Sequence, residues 1–281
     1  MKKIIMLFTA ILLSFGLVAC QDSADPVEGT KEVSDLTAEE VYEKTLKASE
    51  DMKSAEMVMD LTQKIEVPSE NVAMDTTTKT DAKMTMDPLT MYQKGKVKME
   101  MEGTPMEMDI EMYMTEDGMY MFDSESETWL EMGDMIPDEL LNQQQDPAEQ
   151  VKMIEKFVDN LEFKQTDDAY VLELTADGDK FKELTEDLMN QFMPEELMTE
   201  IENAEENPLE DMEINKLYYE LHVDKESYDL KSFNMEMDMA LKNDEGEMNI
   251  SQKAEAEYKN INGVDPIEVP QEVIDKAESL F

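Results

Sequence analysis

Apolar and polar residues alternate along most of residues 57–131, a period that is typical of β-strands with one buried face. The clearest stretch has five apolar residues on one face and acidic residues on the other; the apolar set is Met106, Met108, Ile110, Met112 and Met114. Turn sequences at Asp87-Pro88 and Glu116-Asp117-Gly118 divide the region into strands. The pattern therefore predicts an antiparallel meander with one apolar face and one solvated face.

The same alternation returns in residues 214–260, which predicts a second meander. Its clearest strand, residues 230–241, has one apolar face consisting of Phe233, Met235, Met237, Met239 and Leu241. The acidic faces of both meanders should point to solvent.

Helical patterns precede, separate and follow the two meanders. A capping box formed by Thr37 and Glu40 begins a helix that runs to about residue 52. Further helices are predicted over residues 137–145, 147–160, 179–203 and 270–280, with Pro194 interrupting the third of these. No linker separates the two meanders, so residues 36–281 are predicted to form one α+β domain on a large curved antiparallel sheet.

The N-terminus has the features of a secretory signal: Lys2 and Lys3, then an apolar stretch over residues 4–18. It ends in Leu17-Val18-Ala19-Cys20, which resembles a bacterial lipobox. The resemblance implies diacylglyceryl transfer to the Cys20 sulfur and removal of residues 1–19, the lipoprotein signal peptide. The protein is then expected at the cell membrane, lipid-anchored on the extracytoplasmic face; an ordinary signal peptide with an incidental Cys is the alternative.

Residues 20–35 are polar and acidic and contain Pro26 and Gly29, which predicts a flexible tether. A random coil of this length spans roughly 20 Å. The tether would hold the domain away from the membrane surface.

The charge of the chain excludes several classes of protein. The 281 residues contain 24 basic residues and 69 Asp and Glu, for a net charge of −45. Without Lys2 and Lys3 of the signal peptide, 22 basic residues remain against 69 acidic ones, so the charge becomes −47. Such a chain would repel nucleic acid. One Cys and one His exclude a Cys/His zinc site, and lipidation of Cys20 would leave no thiol for catalysis.

Three local stretches resemble a known superfamily. They are Gly118-Met119-Tyr120-Met121-Phe122 followed by Trp129, Val223-Asp224-Lys225-Glu226-Ser227-Tyr228-Asp229-Leu230, and Val269-Pro270-Gln271-Glu272-Val273. With the order of elements, they resemble the LolA/LppX-like lipoprotein superfamily, and most of all Gram-positive cell-surface lipoproteins. The resemblance implies an unclosed antiparallel half-barrel whose concave face is covered by helices.

The 28 Met residues are the most unusual feature of the composition. Three interpretations remain open: Met replaces Leu and Val in an ordinary core, Met lines an adaptable apolar cavity, or thioethers bind Cu(I). If there is a cavity, we expect it to be lined by Met106, Met108, Ile110, Met112, Phe192, Phe233, Met235, Met237 and Met239. Residues 181–201, around Pro194, are the candidate for a movable lid.

Other signals of chemistry are weak. The enzyme motifs sought are missing, and no acidic loop matches the calcium-binding pattern. Lys94, Lys96 and Lys98 share a strand face and are expected to pair with Glu107 and Asp109 on the next strand. The sequence thus predicts a monomeric, non-catalytic lipoprotein without cofactor or metal that binds a lipid or other hydrophobic ligand. The alternative is a structural or protein-interaction module that acts through its acidic surface.

Overall fold

A computed structural model of the chain describes residues 23–69, 71–101, 103–115, 118–124, 126–132, 147–152, 154–176, 212–243 and 246–279. Several predictions lie outside these residues: the signal peptide, Cys20, the helices over residues 137–145 and 179–203, and Phe192.

The described strands form a single sheet. Their bounds are β1 (Asp25–Pro26), β2 (Ser54–Val67), β3 (Val72–Met86), β4 (Leu89–Met101), β5 (Thr104–Thr115), β6 (Gly118–Asp123), β7 (Thr128–Glu131), β8 (Glu162–Gln165), β9 (Ala169–Ala176), β10 (Met212–Asp224), β11 (Leu230–Asn243), β12 (Gly246–Lys259) and β13 (Glu278–Ser279). The spatial order is β1-β8-β9-β10-β11-β12-β2-β3-β4-β5-β6-β7-β13. The two predicted meanders are therefore joined side by side, through the pairing of β12 with β2.

The sheet is open, because its two outer strands do not pair with each other. Each edge ends in a two-residue parallel strand, β1 against β8 and β13 against β7. All other neighbours are antiparallel. The predicted α+β class and the unclosed half-barrel are confirmed.

Helix α1 (Ala38–Glu50) begins as the sequence predicts. The Thr37 hydroxyl accepts a hydrogen bond from the Glu40 backbone N–H at 3.1 Å, and the Glu40 carboxylate accepts one from the Thr37 N–H at 3.0 Å. Its buried residues Val41 and Tyr42 belong to the same hydrophobic cluster as Leu221 and Phe233. Helix α1 therefore lies on one face of the sheet, which we call the inner face.

The region predicted as one helix over residues 147–160 is two short pieces. Helix α2 (Pro147–Lys152) is followed by a 3-10 helix (Glu155–Asn160). Val151 and Ile154 are buried in the same cluster as α1, so these pieces also cover the inner face. The C-terminal helix is shorter than predicted: α3 (Gln271–Lys276) ends before Ala277, whose extended backbone leads into β13.

Charge is confined to the outer face of the central sheet. Lys96 lies 2.9 Å from Asp109 and 3.1 Å from Glu107, and Lys98 lies 3.3 Å from Glu107. The predicted pairing with the next strand is confirmed for Lys96 and Lys98. Exposed pairs of this kind contribute little stability each, so the outer face chiefly provides solubility.

Residues 23–36, the N-terminal strap, are bound along the β8 edge rather than free. Gln165 is fully buried; its amide N–H donates to the Ala24 carbonyl at 2.6 Å and its Oε1 accepts from the Ser34 N–H at 2.8 Å. Asp167 Oδ1 accepts hydrogen bonds from the backbone N–H groups of Lys31 and Glu32 at 2.6 and 3.1 Å. The structure differs here from the expected flexible tether, because side chains some 130 residues away satisfy the strap backbone.

Acidification should loosen this strap. The N–H groups of Lys31 and Glu32 lower the pKa of Asp167 from its usual 3.8. A carboxylate with a lowered pKa stabilises the fold above its ordinary pKa, and this contribution is lost as the pH falls through the lowered value. We expect Asp167→Asn to weaken the amide-exchange protection of residues 31 and 32 at neutral pH, and the wild type to approach the variant as the pH falls through the lowered pKa. Asp168→Asn is the control, because Asp168 pairs with Lys231 instead. Unchanged protection in Asp167→Asn would contradict this role.

Candidate ligand-binding face

The strand register decides which side chains share the inner face. Starting from Met235, directly opposed residues run across six strands as Met235, Ala254, Leu61, Thr78, Val97 and Met108. The neighbouring rows are Phe233, Ala256, Met59, Thr80, Gly95 and Ile110, then Met237, Gln252, Gln63, Thr76, Met99 and Met106. Directly opposed residues of an antiparallel sheet point to the same side. The candidates from the two meanders therefore lie on one continuous face.

All described cavity candidates fall on this face. Met112 extends it through its pairing with Gln93, and Met239 through its pairing with Ile250. Phe192 lies outside the described residues. That the candidates line a cavity stays a prediction.

Burial divides the candidates into two groups. Phe233, Met235 and Met237 belong to or pack against the main core cluster, and Met112 packs against a second cluster that includes Met91 and Met114. In contrast, Met106, Met108, Ile110 and Met239 belong to neither cluster of the described part of the chain, and Met106 is 45% exposed. We call the inner face of β12 and β2–β5 the Met-rich half.

The other half of the inner face is a solid core. Leu172 and Leu221 are no more than 1% exposed beneath α1, α2 and the 3-10 helix. Tyr219 joins this half to α2: its hydroxyl donates to the Gln150 carbonyl at 3.1 Å, and burial raises its pKa well above the ordinary value. A ligand on the described inner face would therefore have no room beneath these helices.

Uncharged polar residues in the middle of the Met-rich half were missed by sequence reasoning. Gln252, Gln63 and Thr76 are adjacent in one row, between Met237 on one side and Met99 on the other. All three are half-buried. Only the strand register reveals them, because β3 has Thr on both faces and its sequence does not show which face is the inner one. The Met-x-Met spacing of Met99 and Met101 could have suggested where the methionines beside this row lie.

The inner face carries no ionisable carboxylate or amine on its described central strands. Every inward position of β2–β5, β11 and β12 in the rows above is apolar, Gly, Thr or Gln. In a chain with 69 acidic residues, this segregation leaves a surface that excludes ionic contacts and accepts apolar ones. Its chemistry is suited to holding an uncharged or long-chain group.

A hydrogen-bonded network of ionisable side chains lies on the outer face, around His222, the single His of the sequence. Glu220 accepts hydrogen bonds from Tyr218, Asn234 and His222, the last with 2.9 Å between His222 Nε2 and Oε1. Burial raises the pKa of Glu220, but these hydrogen bonds outweigh it and the pKa lies below 4.5. Both carboxylate oxygens of Glu220 are satisfied within β10 and β11, which fits a structural network.

Two further features of the described residues bear on function. They contain no helix long and apolar enough to span a membrane. They also contain no group of three or more His, Cys, Asp or Glu residues that could hold a metal ion.

The fold and this face define an open half-barrel with an uncharged inner surface. The chain belongs to DUF6612, a family of unknown function, whose model matches residues 37–278. No curated protein matches the sequence.

Two similar solved structures are mycobacterial proteins. LprF from Mycobacterium bovis is 13% identical, with 83% of this chain and 95% of that chain covered and a TM-score of 0.39. The lipoprotein LppX from Mycobacterium tuberculosis is 11% identical, with 82% and 96% covered and a TM-score of 0.41. A DUF1329 family protein from Desulfovibrio piger is 9% identical, with 80% and 92% covered and a TM-score of 0.22.

Proposed function

We propose that the protein is a non-catalytic lipoprotein of the cell envelope that binds an amphipathic hydrophobic ligand, such as a lipid, on the Met-rich half of its inner face. The observation that carries this proposal is the uncharged inner surface of β2–β5, whose apolar side chains include Met106, Met108 and Ile110 outside both core clusters. Burial of apolar ligand surface would provide about 25 cal/mol per Å². Flexible thioethers would adapt to chains of different shape.

The polar centre of this surface favours an amphipathic ligand over a pure hydrocarbon. Gln252 and Gln63 each supply an amide donor and acceptor, and Thr76 supplies a hydroxyl. A few convergent polar groups within an apolar surface are how binding sites orient a ligand. An ester, amide or hydroxyl headgroup would fit these partners, with its chain lying along the flanking methionines.

The proposed anchor would keep this surface close to the membrane. With the lipid on Cys20, only Gln21 and Asp22 precede the bound strap, which begins at Ser23. Three residue steps reach at most about 10 Å. The domain would then be held nearer to the bilayer than a free tether of residues 20–35 would hold it. Acidic surface on the domain would oppose adsorption to anionic lipid.

A charge placed on the Met-rich half tests the proposal. We expect Met108→Asp in the mature chain with Cys20→Ser to weaken binding of a fluorescent fatty-acid probe at least about tenfold, because the new carboxylate would be desolvated by the bound chain. Native mass spectrometry of gently purified wild-type protein should show a co-purified lipid that the variant lacks.

Two matched variants make the result specific. Val58→Asp places the same charge on the outer face, where Val58 is 37% exposed, and should leave binding unchanged. Met108→Leu keeps the apolar volume and should also bind. The proposal is wrong if native mass spectrometry shows only ligand-free wild-type protein and the wild type does not bind the probe.

A further inference from the structure

We propose that Met99, Met101 and Met106 form a thioether site for a soft monovalent cation, Cu(I), at the tip of the β4–β5 hairpin. This inference is independent of the lipid ligand, because it rests on the sulfur atoms and not on the apolar character of the face. It develops one of the three interpretations of the methionines that the sequence leaves open, the binding of Cu(I) by thioethers.

The register brings the three residues together. Met99 lies directly opposite Met106, and Met101 lies two residues further along β4, near the turn at Gly103. In antiparallel sheets, opposed Cβ atoms are about 4.5–5.5 Å apart and diagonal neighbours about 7–8 Å apart. The three Cβ atoms thus form a small triangle on one face. Met side chains have three rotatable bonds, so their sulfurs can converge over its centre.

A fourth methionine adjoins the triangle. Met74 of β3 lies directly opposite Met101. It is half-buried and shares the face, so it could complete a four-coordinate site or replace one of the three ligands. No other place in the described strands has Met residues opposed in two adjacent pairs with this degree of exposure.

The exposure of these methionines is the second observation. Met101 and Met106 are 44% and 45% exposed, and they are two of only six large hydrophobic residues with such exposure among the described residues. Burial of Met in a core explains the methionines around Met91, but it does not explain these two. Thioethers that can be reached from solvent are available as ligands.

The chemistry selects the ion. Thioether sulfur is a soft, neutral ligand that prefers Cu(I), whereas carboxylates and carbonyls prefer Mg²⁺ and Ca²⁺. Among the described residues of this hairpin, no carboxylate shares the inner face: Glu100, Glu107 and Asp109 alternate onto the outer face. The strongly negative chain would attract any cation, while the methionines would supply the selectivity.

The test is an anaerobic titration of the mature protein with Cu(I) against a chromogenic competitor. We expect one tightly bound equivalent, and we expect the triple variant Met99→Leu, Met101→Leu, Met106→Leu to lose at least about tenfold in affinity, because leucine keeps the volume but removes the soft ligand. Thermal unfolding checks that the variant is folded. The Cu(I) titration does not use the fatty-acid probe, so its outcome is independent of the proposed lipid function.

The matched control is Met235→Leu, Met237→Leu, Met239→Leu. These three share one strand of the same face, but their partners on β12 are Ala254, Gln252 and Ile250 and not methionines. Their replacement should leave Cu(I) affinity unchanged. Equal losses in the two triple variants, no resolved equivalent in the wild type, or equally tight binding of Ca²⁺ would each overturn the proposal.

Discussion

Replacement of Leu221 by alanine is expected to lower the free energy of unfolding by about 2–5 kcal/mol. Leu221 is 0% exposed and lies on β10, where residues from α1, α2 and the sheet meet in the main core cluster. Truncation of its side chain would leave a cavity in the core cluster that also contains Val41 and Val151. The flanking strands cannot fill it, because both neighbours in its row, Leu172 and Phe233, are themselves packed. Urea unfolding followed by circular dichroism would measure the loss.

Ile274→Ala provides the comparison, because Ile274 is 42% exposed on α3 and its truncation should change stability by less than about 0.5 kcal/mol. Leu221→Ala should also leave the affinity for a fatty-acid probe unchanged in the fraction that remains folded. A loss of stability below about 1 kcal/mol would contradict a solid core at this end of the inner face.

The strands and the shared face were predictable because their physical cause is local. In β5, Met106, Met108 and Ile110 alternate with Glu107 and Asp109, and a strand places alternate residues on opposite faces. Two such strands in one sheet must turn their apolar faces to the same side if they share a core. The register confirms this for the described candidates of both meanders.

The position of each strand and its side chains within the sheet could not be predicted, because it depends on pairing between distant segments of the chain. β3 has Thr76 and Thr78 on the inner face and Thr77 on the outer face, so its sequence does not tell the faces apart. The pairing of β12 with β2, which makes Gln252 and Gln63 neighbours, joins residues about 190 positions apart. The polar centre of the candidate site arises only from these pairings.

The long-range contacts at the two ends of the chain could not be predicted for a related reason. Residues 23–36 have the composition of a coil, but Gln165 and Asp167 bind their backbone from the β8–β9 hairpin. At the other end, Glu278 and Ser279 leave the predicted helix to pair with β7. Two-residue parallel pairings have no local sequence pattern, and they cover sheet edges that would otherwise be free to pair with another chain.

Gly95→Ala is expected to destabilise the protein by about 1–3 kcal/mol or more, although it adds only a methyl group. A Cβ atom at Gly95 would lie 2.0 Å from the Lys79 carbonyl oxygen and 2.8 Å from Thr80 Cγ2. The carbonyl belongs to the backbone and cannot rotate away, so β3 and β4 would have to separate at this pair. A glycine inside a strand commonly marks such a close approach of backbones.

The effect should extend to the Met-rich half, because Gly95 and Thr80 form the row next to Val97 and Met108. We expect Gly95→Ala to lower the melting temperature and to weaken fatty-acid binding together, whereas Lys94→Ala, at an exposed outer-face position next to it, should change neither. A Gly95→Ala protein with wild-type stability would show that the strands can part without cost. If the variant is destabilised as expected, the close contact at Gly95 sets the spacing between the β3 threonines and the β4 methionines. That spacing in turn sets the shape of the surface that a ligand meets.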